Sequence, residues 1–294
     1  MKNRIHLIAL LILLVTFSCS RDRQKPGQII AWGANDHNQL QVPNGNDFIK
    51  ISAGLLNNLA LRDNGSIVMW GKENPDTTPQ GYDFIAIEAG WQNHLALRAD
   101  STLVAWGRDN GYGQLEVPEG NHYIAIAVGD GHSIALKANG SIVSWGANFF
   151  NQLNVPEGSD FTAIAAGRYH SLALKKDGSI VAWGLNNVGQ CDVPYGNNYT
   201  AISAGEYHSL ALKKDGTLIA WGDNDHYQCE TPSGSGFTKI SAGRYHSIAL
   251  KRDGTVQPWG DNRHDQTSVV QGNNFVDISA GDGHNLALKF VSEK

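Results

Sequence analysis

The chain has 294 residues with 23 basic and 28 acidic side chains, a formal charge of −5 and only 17% charged residues, a balance that argues against nonspecific nucleic-acid binding. Its 41% hydrophobic content suffices for a folded core, and its 33 glycines point to many turns. Three cysteines in a chain this long exclude a disulfide framework of the small secreted kind.

At the amino end Lys2 and Arg4 precede an apolar run from Leu7 to Val15, far shorter than the roughly 20 residues a membrane-spanning helix needs. Residues 1–18 therefore read as a signal peptide. The stretch Val15-Thr16-Phe17-Ser18-Cys19-Ser20 resembles a bacterial lipobox, with Thr16 where leucine is usual, which makes Cys19 the expected lipidation site. Ordinary cleavage nearby is the alternative. Either way the protein is expected outside the cytoplasm, as a membrane-anchored lipoprotein of the bacterial envelope or as a secreted protein. Cleavage removes Lys2 and Arg4 and no acid, leaving 21 basic against 28 acidic residues and a formal −7. Residues 19–27, polar and ending in Pro26-Gly27, form a short tether.

The rest, residues 28–294, is one repeat. Trp-Gly pairs begin at Trp32, Trp70, Trp106, Trp145, Trp183, Trp221 and Trp259, with intervals of 38, 36, 39, 38, 38 and 38, a period that marks a repeat architecture. A small residue and glycine recur at Gly54, Gly90, Gly129, Gly167, Gly205, Gly243 and Gly281. Shortly after each comes a histidine (His94, His132, His170, His208, His246, His284), with Asn58 in the first copy.

In the unit Phe161 to Asn198, Phe161 to Ala166 is a short apolar strand ended by Gly167. His170 to Lys175 and Ser179 to Trp183 flank Asp177-Gly178, a tight-hairpin signal. After a polar loop ending at Gln190, Cys191-Asp192-Val193 fits a fourth, outer strand before Pro194. Short strands at this spacing, with no helical periodicity beyond the leader, specify an all-β fold: a seven-bladed β-propeller of four-stranded antiparallel blades. The chain begins with the third strand of a blade, at Ile29 to Gly33, and ends with the first two, at Phe275 to Ala280 and His284 to Phe290. The last blade is therefore expected to be closed by strands from both termini.

The repeat Ala-Gly-x-x-His-Ser-Leu-Ala-Leu-Lys-x-Asp-Gly-Ser-x-x-Ala-Trp-Gly-x-Asn-x-x-Gly-Gln resembles that of the regulator of chromosome condensation family, over about Gln28 to Phe290. With Val-Pro after the Gln, as in Gln190 to Pro194, it is also similar to exported propeller proteins that inhibit β-lactamases. The resemblance implies the propeller; function must be argued from the site.

The periodic histidines read as structural, each bonding nearby backbone, because one per blade gives no compact metal cluster. The tryptophans of the Trp-Gly pairs read as packing between blades; Trp91 lies outside that series. Cys191 and Cys229 occupy the position of Leu40, Leu115 and Leu153 and read as small core residues, with a disulfide between them left open. Asn64-Gly65-Ser66 and Asn139-Gly140-Ser141 match glycosylation sequons and are also hairpin turns, the reading preferred here. No nucleophile elbow, zinc-protease, phosphate-loop or paired-cysteine motif is present. Neither enzymatic activity, cofactor nor metal is expected.

What differs between copies lies in two loop sets that share one face of an up-and-down ring. The first-to-second-strand loops carry Trp91, Tyr169, Tyr207 and Tyr245, with Arg168, Glu206 and Arg244 alternating in charge beside the tyrosines. The third-to-fourth-strand loops carry Tyr112, Phe149, Phe150 and Tyr227. Aromatics in polar loops are the residue type that anchors interfaces. The expected function is a noncatalytic, monomeric exported scaffold that binds another protein through this face and meets the membrane only through its lipid. Alternatives are an inhibitor of an exported hydrolase such as a β-lactamase, a glycan-binding module, and guanine-nucleotide exchange as in eukaryotic relatives, which export disfavours.

Overall fold

A computed structural model describes residues 26–72 and 77–290. The signal peptide, Cys19, most of the tether and residues 73–76 of the second copy lie outside the described residues.

The strands of the described residues, five to seven residues long, all pair antiparallel. The first strands are β1 (Gly27–Gly33), β2 (Phe48–Ala53), β3 (Asn57–Arg62), β4 (Ile67–Gly71), β5 (Phe84–Ala89), β6 (Asn93–Arg98) and β7 (Leu103–Gly107). There follow β8 (Tyr123–Val128), β9 (His132–Lys137), β10 (Ile142–Gly146), β11 (Phe161–Ala166), β12 (His170–Lys175), β13 (Ile180–Gly184) and β14 (Tyr199–Ala204). The last are β15 (His208–Lys213), β16 (Leu218–Gly222), β17 (Phe237–Ala242), β18 (His246–Lys251), β19 (Val256–Gly260), β20 (Phe275–Ala280) and β21 (His284–Phe290). They pair as repeated three-stranded meanders, inner to middle to outer. In the meander assembled from both chain ends, β1 runs along β21 from Gly27 opposite Phe290 to Gly33 opposite His284. The strand closure read from the termini is therefore present, supplied on the amino side by the single strand β1.

Among the described residues the fourth strand of each unit is not. Cys191 to Val193 forms no strand, because each of its amides is satisfied locally: Cys191 N–H by Asn186 Oδ1 at 2.8 Å, Asp192 N–H by the Gly189 carbonyl at 3.0 Å, and Val193 N–H by the Cys191 carbonyl at 2.9 Å. Pro194 follows with no donor at all, so nothing remains to build a ladder.

The middle strands explain how the units hold together. In His-Ser-Leu-Ala-Leu-Lys the histidine and both leucines point to one face and the serine and alanine to the other, and the first five positions are all buried. Leu172 and Leu174 of β12 pack with Tyr199 of the next unit and with Ala211 of its middle strand. Ala173 receives Ile134 and Leu136 from the unit before. Every apolar cluster spans two neighbouring units, including the one in which Ile29, Leu286 and Leu288 meet Phe48, Ile51 and Trp70. No unit has a core of its own, as expected of repeats that bury one another's faces.

The histidine reading changes in two respects. The position that opens the middle strand is held by Asn57, Asn93, His132, His170, His208, His246 and His284; His94 lies one residue later, opposite Trp106, where other units have Ser or Asn. The counterpart of those histidines in the first copy is thus Asn57, not Asn58. The imidazoles also do not bond backbone through Nε2. They bond the side chain of the next unit: His132 to Ser171 at 2.9 Å, His170 to Ser209 at 3.0 Å, His208 to Ser247 at 2.8 Å, His246 to Asn285 at 2.8 Å and His284 to Asn58 at 2.7 Å. Ser209 Oγ–H itself donates to the Gln190 carbonyl, so its oxygen accepts from His170, which fixes the Nε2–H tautomer.

Each glycine after an inner strand lies against the neighbouring unit. A Cβ at Gly129 would fall 2.3 Å from His132 Cε1 and 2.5 Å from the Gly167 carbonyl, and the same relation passes from glycine to glycine until Gly281 faces Gly54. The inner strands surround a central channel.

Candidate functional site

The outer-strand loops are held rigid by their own motif. In Asn-Phe-Phe-Asn-Gln, Asn148 Oδ1 accepts from Leu153 N–H at 2.9 Å and Gln152 Oε1 accepts from Phe150 N–H at 2.8 Å. The Gln152 carbonyl then accepts from Trp183 Nε1 of the next unit at 2.9 Å. Asn110 and Gln114 do the same around Tyr112, and Asn224 and Gln228 around Tyr227. The residue before the glutamine turns left-handed, at φ 64° for Asn151 and 61° for Tyr227 itself. Trp106 departs from the scheme: its buried Nε1 has no partner among the described residues.

On these loops Tyr112, Phe149, Phe150 and Tyr227 stand 54%, 64%, 39% and 66% exposed. Tyr112 meets Phe149 edge-to-face at 4.9 Å, and Phe150 meets Tyr169 at 5.0 Å. His226 meets Tyr245 at 4.7 Å. The contacts of Phe150 with Tyr169 and of His226 with Tyr245 join the two loop sets, so both line one face, as the strand order requires. Trp91, Tyr169, Tyr207 and Tyr245 are half-buried there. The Arg168 guanidinium lies 4.9 Å from the Trp91 ring and from the Tyr169 ring, and donates to Tyr207 Oη at 3.5 Å.

Arg168, Glu206 and Arg244 belong to a network with two members that the sequence reading passed over. Glu206, buried, accepts from Arg168 NH1 on one oxygen and pairs with Arg244 Nε on the other. Arg168 Nε reaches Asp130 at 3.3 Å, and Arg244 NH1 reaches Asp282 at 3.3 Å. The result is Asp130, Arg168, Glu206, Arg244 and Asp282, alternating in sign around the channel mouth, with Leu55 and Trp91 completing the rim. Burial pushes the Asp130 and Asp282 carboxyls up, against the pull of Arg168 and Arg244. The signal for the missed residues was present: each of the five follows its glycine directly, and Asp130 and Asp282 continue the 38-residue spacing of the other three.

Cys191 and Cys229 are free thiols, and burial pushes them up to about 12 and 11. Asn64 Oδ1 and Asn139 Oδ1 accept the amides of Ser66 and Ser141 at 2.9 Å and 3.0 Å, which places both sequon asparagines in hairpin turns. Among the described residues no three His, Cys, Asp or Glu side chains group as a metal site, and no helix is long and apolar enough to cross a membrane.

The regulator of chromosome condensation (RCC1) repeat matches residues 84–114, 123–152, 161–190, 199–228 and 237–266, just over half the chain. No curated protein matches the sequence. Among solved structures, Prp20p of Saccharomyces cerevisiae superposes with a TM-score of 0.77 at 21% identity, covering 91% of this chain and 92% of that one. The work on that structure concerns binding to Gsp1p and histones. Yeast RCC1 (Prp20) bound to Kap60 gives 0.75 at 19% identity over 90% of each chain. Human WBSCR16 gives 0.74 at 15% identity over 89% and 98%. At these identities the likeness is one of fold.

Proposed function

We propose that this chain, which belongs to the regulator of chromosome condensation repeat family, is a seven-bladed propeller serving as a noncatalytic protein-binding scaffold. The seven-bladed count is supported by the ring of glycines that closes from Gly281 to Gly54. The observation that carries the functional reading is the set of exposed aromatics, Tyr112, Phe149, Phe150 and Tyr227, on loops already immobilised by Asn and Gln side chains. Such side chains bring large contact area to an interface with little further loss of freedom on binding. The charged rim beneath them is internally paired, so in this reading it fixes the shape of the face and the aromatics supply the grip. The solved complex of yeast RCC1 with Kap60 and the reported binding of Prp20p to Gsp1p and histones agree with a propeller used to bind proteins. We place the monomeric domain outside the cytoplasm, tethered through lipidated Cys19, on the strength of the amino-terminal sequence alone.

Affinity capture from solubilised bacterial envelope, with the full chain and with a Tyr112, Phe149, Phe150 and Tyr227 to Ala variant, tests the reading. A partner held by the parent should bind the variant at least about thirtyfold more weakly, near 2 kcal/mol, while the melting temperature stays put because all four side chains are exposed. Equal retention by a folded variant would overturn the aromatic-face reading. If the captured protein is a hydrolase, its turnover with and without the propeller decides whether binding is inhibition.

A further inference from the structure

The central channel, about 440 Å³, has a divided wall. Four adjoining inner strands, β14, β17, β20 and β2, present Ser203, Ser241, Ser279 and Ser52; β8 and β11 present Ala127 and Ala165 at the same level. Ser203, Ser241 and Ser279 each accept one amide of the next unit, from Ala242, Ala280 and Ala53, at 2.9 Å. Among the described residues none of these three hydroxyls has an acceptor for its own proton, so three O–H donors are left for the channel. Ser52 instead donates to Glu88 Oε2 at 3.3 Å.

One layer toward the opposite face, Lys239 pairs with Asp277 at 2.5 Å, whereas Lys50 makes neither a hydrogen bond nor an ion pair among the described residues. Its charge faces Glu88 without forming a close ion pair, and the Glu88 carboxyl is pushed up to about 7 by burial, against the Ser52 hydrogen bond and the charge of Lys50. The channel thus holds three serine hydroxyl donors and an ammonium outside any close ion pair on one side and methyl groups on the other. Its volume lies in the range of small-molecule sites, and a few convergent polar groups beside an apolar wall is the usual composition of one.

We propose that the channel binds a small aliphatic monocarboxylate, with the carboxylate held by Lys50 and the serine hydroxyls and the hydrocarbon chain against Ala127 and Ala165. The site is separate from the loop face, and the scaffold reading does not depend on it.

Titration of the full chain with acetate, butanoate and hexanoate, and with butylammonium as the opposite charge, tests this by the backbone amide resonances of Ala53, Ala89, Ala242 and Ala280. Hexanoate should shift them at the lowest concentration, because only a longer chain reaches the alanine wall, and butylammonium should not shift them. Lys50→Gln should weaken hexanoate at least about tenfold, as expected when a charged hydrogen bond is lost, with Lys50→Arg recovering most of it and neither changing the melting temperature. Glu88→Gln, which removes only negative charge, should keep or tighten binding. Saturation by butylammonium, no response to any carboxylate, acetate binding as tightly as hexanoate, an unaffected Lys50→Gln, or loss of binding in Glu88→Gln would each overturn the proposal.

Discussion

At the scale of single residues, the five histidines that open middle strands are the most consequential. Burial holds His132 and His246 down to about 4, and His170, His208 and His284 down to about 3. Each imidazole is neutral, bonds the next unit through Nε2 and keeps Nδ1 buried without a partner among the described residues. In the unfolded chain these side chains titrate near 6.5. Above that pH neither state takes up a proton there. As pH falls below 6.5 the unfolded chain gains protons that the folded one refuses, and stability declines until the folded values near 3 to 4 are reached. At about 1.4 kcal/mol per pH unit, each histidine costs roughly 2 kcal/mol at pH 5. Five together cost on the order of 10 kcal/mol, comparable to the whole stability of a domain. Acid unfolding centred near pH 5 is the expected outcome, followed by near-ultraviolet circular dichroism. His208→Asn, which copies the residue at Asn93 that donates to Ser133 at 3.2 Å, should remove about a fifth of the pH slope and move the midpoint to lower pH. An unchanged midpoint in that variant would show that other groups control the transition.

At the scale of elements, the hairpin between middle and outer strands shows how one turn locks two units. Gly178 adopts φ +84°, its carbonyl receives the Tyr199 amide of the next inner strand at 3.1 Å, and a Cβ there would lie 2.4 Å from the Asn197 carbonyl. Gly178→Ala therefore adds left-handed strain to a clash with backbone, and a loss of about 2 kcal/mol or more is expected in chemical denaturation. Ser101 holds the equivalent place at φ 67° and still accepts from Tyr123 N–H at 3.2 Å. There Ser101→Gly should be tolerated or mildly stabilising. The contrast separates backbone strain from loss of the side chain. These three strands were legible because alternation and Asp-Gly turns are local signals. The fourth segment was not, since Cys191-Asp192-Val193 alternates like a strand while Asn186 and Gly189 claim its amides from within the loop. The same limit displaced His94: aligning copies by histidine slips one residue, whereas counting three from the glycine reaches Asn93, and only the pairing of His94 with Trp106 makes the correct anchor evident. The aromatic face could be placed because strand order decides which loops are neighbours. The members of the rim were legible in the same way, each following its glycine, but their pairing was not, because which of Asp130, Arg168, Glu206, Arg244 and Asp282 touch depends on how far side chains reach between units.

At the scale of the whole molecule, the architecture has interfaces in place of a core. Each apolar cluster is shared by two units, and the ring of glycines, the histidine relay and the backbone bonds around the mouth, such as Asp282 N–H to the Gly54 carbonyl at 3.3 Å, all pass through the junction of the chain ends. A closed ring of this kind loses more when one junction opens than a linear stack does when it loses an end, because opening exposes two apolar faces and an unpaired strand edge. Strand β1 is what closes it: removing residues 27–33 would strip Ile29 from the cluster containing Phe48, Leu286 and Leu288 and leave β21 without its outer partner from His284 to Phe290. That deletion should do more than lower the melting temperature by the burial of one short strand. The single unfolding transition expected of the intact ring should broaden, and size-exclusion chromatography should show association through the uncovered edge. Joining Phe290 to Gly27 by a short linker and opening the chain at the exposed Glu119-Gly120 linker should, in contrast, preserve the transition, since Gly27 and Phe290 already lie opposite one another in the sheet. If the deletion variant melted as cooperatively as the parent and ran as a monomer, the units would be stable by themselves and closure would be incidental to the fold. If the joined and reopened chain failed to fold, stability would depend on the order in which the strands are made and not on the closed ring they form.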